Sequence, residues 1–117
     1  MGNVLDGILK KTIEDSFTVN VDYISERFDI DNREQDFSIQ INYSDGVGVD
    51  MIFYLEGSID GENFSEITNS RQPVSDPSGT HIWDISGSGV VWFRVGIIVN
   101  AGSINLNKIL YSGKRRH

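Results

Sequence analysis

The sequence predicts an all-β protein, an antiparallel β-sandwich of jelly-roll type with about eight strands. Three observations carry that prediction. Apolar residues alternate with polar ones at a period of two along most of the chain from Phe17 onward. Turn-forming clusters of Gly, Ser, Asn and Asp interrupt the alternation every 8–12 residues or so, the spacing of sandwiches and barrels. No strand pattern is followed by a helical one, so a parallel sheet is not expected.

In chain order, residues 1–16 stand apart as a short N-terminal helix or arm. Val4, Leu5, Ile8 and Leu9 fall on one helical face, with Lys10 and Lys11 near its end and Gly7 weakening it. A helix this short needs the domain or a partner chain to pack on. The sandwich domain spans 17–114. Phe17, Val19, Val21 and Tyr23 alternate inward, a short segment with Phe28 and Ile30 follows, and 37-FSIQINY-43 places Phe37, Ile39, Ile41 and Tyr43 on one face. Ser44-Asp45-Gly46 and Gly48 mark a turn. The run 49-VDMIFYLEG-57 is apolar on both faces at its centre, as in a strand covered on both sides or used between subunits. It enters a hairpin, 54-YLEGSIDGENFSEI-67, where Asp60-Gly61 has the chemistry of a two-residue connection. Residues 68–79 read as a surface loop, 80-THIWDI-85 as a strand, 86–89 as a turn, and 90-VVWFRVGIIV-99 as the most hydrophobic strand. Asn100-Ala101-Gly102 turns the chain into 104-INLNKILY-111. A basic tail, 115–117, closes it, so that the chain ends Lys114, Arg115, Arg116, His117.

The 117 residues suit one domain that buries its own core. The absence of cysteine excludes disulfides and thiolate zinc sites. No apolar run approaches the roughly 18 residues of a membrane span. The opening MGNVLD has Asp6 where a myristoylation signal carries Ser or Thr, so no membrane partner is expected. A net charge of −7 argues against nucleic acid as a specific partner. The charge is uneven: residues 1–66 hold 15 of the 17 acids against 4 of the 10 bases, a balance of −11, and residues 67–117 hold 2 acids and 6 bases, a balance of +4. Such polarity suits contacts between copies, unless the two halves interleave in the fold.

Chemistry finds little support. Asp29, Asp31, Glu34 and Asp36 offer oxygen ligands, but Arg33, Glu34 and Gln40 occupy positions where a calcium-binding EF-hand requires a ligand, a glycine and a glutamate. Solvated loop acids are the simpler reading, there and at Asp60 and Glu62, and no metal or other cofactor is expected. The only histidines are His81 and His117, and the serines sit mostly in turns. The expectation is therefore a protein that is not an enzyme. Trp83, Trp92, Tyr43, Tyr54 and Tyr111 are candidates for a sugar-binding platform, although a core role is commoner for aromatics on strands. Trp92 shares an alternation face with Arg94, which makes a binding patch if exposed and an interface contact if covered.

Taken in order, 37-FSIQINYSDG-46, 54-YLEGSIDGENFSEI-67, 79-GTHIWDISGSGVVWFRV-95 and 102-GSINLNKILYSGK-114 resemble a β-sandwich module of tailed-bacteriophage virion proteins: head-fibre, capsid-decoration, neck or tail-associated. Ile59 departs from the Asn or Thr common in that module's turn, and residues 1–16 lie outside the resemblance. It implies a non-enzymatic structural accessory component of the virion, assembled in the host bacterial cytoplasm. Its partners would be copies of itself and other virion proteins. The interface residues expected are Val4, Leu5, Ile8 and Leu9 in the arm, Trp92 and Arg94 on the sandwich, and Lys114, Arg115 and Arg116 in the tail. The alternative is a glycan-binding sandwich that adheres to a cell surface.

Overall fold

A computed structural model describes residues 8–12, 16–29, 34–86 and 92–115. They form an antiparallel β-sandwich built around two very long strands, β5 (Glu34–Ser58) and β9 (Trp92–Arg115). The other strands are β1 (Ile8–Thr12), β2 (Phe17–Val19), β3 (Tyr23–Ile24), β4 (Phe28–Asp29), β6 (Ser65–Glu66), β7 (Gln72–Val74) and β8 (Gly79–Ser86).

β5 and β9 pair along their whole length, from Glu34 opposite Arg115 to Ser58 opposite Trp92, and both bend midway. The bend creates the two layers. In the first, the order is β8, the 34–43 half of β5, the 105–115 half of β9, then β1 and β2. In the second it is β7 and β6, the 51–58 half of β5, the 92–99 half of β9, then β3 and β4. Ladder register shifts cluster between Asn42 and Met51, where bulges let one strand pass from layer to layer. Asp45 (φ 55°), Gly48 (φ 57°) and Gly102 (φ 83°) carry the left-handed backbone of the corner. At Gly102 a Cβ would lie 2.3 Å from the carbonyl oxygens of Val47 and Gly48, so only glycine permits the crossing.

The turn signals at 44–48 and 100–102 are thus corners inside continuous strands rather than reversals between separate ones. Corners and reversals need the same residues, because both need positive φ or relief from side-chain bulk.

The core lies between the layers. Phe37, Ile39, Ile41, Tyr43, Ile104, Leu106, Ile109 and Tyr111 point in from the first, and Met51, Phe53, Leu55, Phe93, Val95 and Ile97 from the second; all are buried. Phe37 stacks on Phe93 with ring centroids 5.1 Å apart, Tyr111 meets Phe93 edge-on at 5.5 Å, and Tyr43 meets Phe53 at 5.5 Å. Each of these pairs joins one layer to the other. Phe17 against Tyr23, at 5.1 Å, closes the side opposite β8.

Four further expectations change. Ile8–Thr12 is a strand, not helix: it lies antiparallel on β9, Ile8 opposite Lys114 and Thr12 opposite Leu110. An open ladder edge offers this segment backbone partners that a lone short helix lacks. Val4 and Leu5, the other two residues of that helical face, lie outside the described residues. The strand from Phe17 to Tyr23 breaks at residues 20–22, where the chain steps from the first layer to the second, and Val21 stands exposed instead of buried. The hairpin after β5 is not a two-residue connection, since Gly57 pairs with Ser65 and the loop runs over 59–64. The expected loop 68–79 contains β7, whose Pro73 sits on an edge strand where its missing N–H costs no ladder bond.

Candidate functional site

The turn at 58–63 is the most polar feature at the end of β5. Asp60 Oδ1 accepts hydrogen bonds from the Ser58 hydroxyl (2.8 Å) and from the backbone N–H groups of Glu62 and Asn63 (both 2.9 Å), and Oδ2 accepts one from the Asn63 amide (2.8 Å). The Gly61 N–H donates to Ser58 Oγ at 2.9 Å. These donors, the Asn63 and Glu62 N–H groups foremost, hold the Asp60 carboxyl well below the usual carboxylate range. The acid is therefore fully ionised, with its oxygens engaged inside the turn. It organises a loop and does not point at a ligand. Among the described residues no three His, Asp or Glu side chains come together; Asp31 lies outside them.

That loop folds back over the outer face of the second layer. Trp92, Arg94 and Ile98 point outward there, alternating with the buried Phe93, Val95 and Ile97. The Trp92 indole packs on Gly61, where an added Cβ would approach Nε1 to 2.9 Å, and the Arg27 guanidinium lies 5.0 Å from its ring centroid while donating to the Gly61 carbonyl. Arg94 is directly opposite Glu56 on β5, and Nε donates to Oε1 at 2.6 Å; its guanidinium also lies 4.1 Å from the Phe64 ring centroid. Partly buried and geometrically close, this pair is worth at most about 1 kcal/mol. Further along, Tyr54 covers Gly96, Arg71 lies 5.9 Å from the Tyr54 ring centroid, and Arg71 pairs with Glu66 through two bonds of 2.8 and 3.0 Å.

Trp92 and Arg94 do share a face, and that face is a half-buried carpet of alternating arginine and aromatic groups. The reading from the sequence did not find Arg27, Glu56 or Phe64. Glu56 had a readable signal, as an acid on the strand that precedes the hairpin. Arg27 and Phe64 did not, because loops 25–27 and 59–64 bring them in from outside any ladder.

Trp83 occupies a different place. It is on the inner side of β8, 7% exposed, and its indole N–H donates to the Ser70 carbonyl at 2.7 Å. His81 meets it edge-on at 4.6 Å, and burial lowers the pKa of that imidazole. A groove of about 360 Å³ runs between β8 and residues 67–72, with Arg71, His81 and Asp84 on its walls. On the outer side of the first layer, Ser38, Gln40 and Asn42 form a polar ladder with Asp84 and Thr80. A second groove of about 340 Å³ crosses that ladder between Ile82 and Leu110, the residues on either side of Gln40.

Of the remaining sequence-predicted interface residues, Ile8 and Leu9 are on β1, opposite Lys114 and Gly113. Lys114 also stands opposite Asp36, and Arg115 opposite Glu34. The basic end thus begins as an ordered strand beside acidic positions, which is the interleaving of the two charged halves. Arg116 lies outside the described residues.

No family model matches the sequence, and no curated protein matches it. Solved structures share its architecture. A chain of the infectious bursal disease virus Gt strain superposes with a TM-score of 0.61 at 10% identity over 92% of this chain and 33% of that one. The VP2 subviral particle of the same virus gives 0.60 at 9% identity over 92% and 32%. The C-terminal CBM6 of LamC, a marine laminarinase from Zobellia galactanivorans, gives 0.51 at 13% identity over 89% and 98%. The chain spans about a third of the length of the viral chains it matches. At such identities the shared property is the fold: an antiparallel β-sandwich found both in viral particles and in a module of a carbohydrate-active enzyme.

Proposed function

We propose that the chain is a non-enzymatic structural component of a virus particle, acting by protein–protein assembly. More finely, it is an accessory protein of a tailed-bacteriophage virion, placed as capsid decoration, head fibre or a neck or tail element and assembled in the host bacterial cytoplasm. The observation that carries the reading is that nearly the whole chain is one sandwich of the kind seen in a viral particle. The motif series resembling phage modules supplies the finer statement. The polar groups of the site fit an assembling role: Asp60, Arg94, Glu56 and Arg71 are engaged within the fold.

The test is incorporation into particles. Removing residues 1–7 spares β1 and takes away Val4 and Leu5. Such a chain is expected to fold and to be lost from purified particles. Full occupancy by the truncated chain in a sedimentation assay would end the anchor role of the arm. A wild-type chain that never co-purifies with particles would end the virion reading itself.

The glycan-binding alternative rests on the likeness to the CBM6 sandwich, which covers nearly all of that module. It must contend with two tryptophans that do not form an open platform, Trp83 being sealed by Ser70 and Trp92 lying beneath Arg27. Saturable binding on a glycan array that is lost in Trp92→Ala would favour it.

A further inference from the structure

From the geometry of its sheet edges we infer that β8 is a docking edge at which a second copy of this chain adds its own β8, antiparallel about a two-fold axis through Ile82. The inference deepens the assembly reading and takes from it the idea that copies of the chain meet. An edge strand presents unpaired N–H and C=O groups, and proteins blunt such edges with short strands, lysine or proline. The other edges here follow that rule. β3, β4 and β6 are two residues long, β2 and β7 are three, β7 contains Pro73, and β1 carries Lys10 and Lys11. β8 is eight residues long with no lysine, arginine or proline. It pairs with β5 on one side, and among the described residues nothing pairs with its other side.

The sequence of β8 complements itself. With Ile82 opposite Ile82 of the second copy, Thr80 faces Asp84 and His81 faces Trp83. Ile82 is 49% exposed in the single chain, although it lies mid-strand. Pairing would cover it and would join the apolar groove between Ile82 and Leu110 to its symmetry mate. No like charges meet in this register, because Asp84 faces a threonine hydroxyl. The strand carries a single carboxylate, Asp84, which in this register meets Thr80 and not its own mate, so the edge itself sets little repulsion against the approach of a second copy. An isologous contact of this kind closes at two and does not run on as a fibre.

The experiment uses the absence of native cysteine. Opposite residues of an antiparallel pair have Cα atoms about 4.5–5.5 Å apart, within disulfide range. Ile82→Cys should oxidise rapidly to a covalent dimer. Thr80→Cys should not, since its mate would be four residues away, about 13 Å along the strand. Light scattering of the wild type over rising concentration should show a dimer whose dissociation constant rises at least tenfold in Ile82→Lys, with the circular dichroism and unfolding midpoint of that exposed-site variant unchanged. A wild-type chain monomeric up to about 1 mM, or equal cross-linking at both cysteine positions, would overturn the inference. A chain found in particles but monomeric and uncross-linked sinks only the edge pairing, whereas a β8 dimer absent from particles sustains the pairing and removes the virion reading.

Discussion

Asp60 shows how one side chain organises a surface. Four donors converge on its carboxylate, so the turn depends on that charge rather than supplying it to a ligand. A carboxyl whose folded pKa is depressed stabilises the fold above its unfolded pKa of about 3.9, and that contribution is lost as the pH falls through the lower folded value. Asp60→Asn keeps one acceptor oxygen but not the charge. Its melting temperature should lie below that of the wild type by a constant amount from pH 7 to about pH 5, and the gap should narrow below about pH 4. A gap unchanged down to pH 2 would show that the charge is not what holds the turn. The same residue marks a limit of sequence reading. Asp-Gly was legible as turn chemistry, and the turn is there, but its length was not, because Asp60 bonds forward to residues 62 and 63 and lengthens the loop beyond a two-residue connection.

Two elements, β5 and β9, make the fold. The alternation in 37–43 gave the buried face correctly, since Phe37, Ile39, Ile41 and Tyr43 are all in the core. The continuity of each strand through its corner was not legible, because Ser44-Asp45-Gly46 and Asn100-Ala101-Gly102 have the composition of a reversal, and only the partner strand bending at the same place distinguishes the two. The corner makes a sharp prediction. Gly48 has positive φ with open space around the missing Cβ, so Gly48→Ala should cost about 1 kcal/mol in urea unfolding. Gly102 has positive φ and the backbone of β5 against it, so Gly102→Ala should cost on the order of 3 kcal/mol. Equal costs would mean that the strands can part at the crossing. The β1 segment gives the opposite lesson. Its apolar spacing suited a helix, and the free edge of β9 overrode that local preference with a ladder.

At the scale of the molecule, both layers share the same two strands, so neither layer can form without half of the other. Most pairing joins segments distant in sequence, β1 to β4 with β9 and β5 with β9, with residue 34 meeting 115 and residue 58 meeting 92. Such non-local topology predicts folding in milliseconds to seconds in one cooperative phase, measurable by stopped-flow tryptophan fluorescence through Trp83 and Trp92. A microsecond phase carrying most of the amplitude would show that one layer forms alone. The antiparallel register of β1 on β9 reaches beyond folding. Residues 8 and 114 leave the sandwich side by side, so whatever is joined to the chain at either end pulls on one spot. Tension between those ends would act across the β1 ladder rather than along it, opening rungs one after another from Ile8 inward. The end of β9 is held on its other side by Asp36 and Glu34 of β5, so the load would be shared between that ladder and β1. The edge strand, with five rungs, would yield before the two long strands part, and would re-form when the force is released.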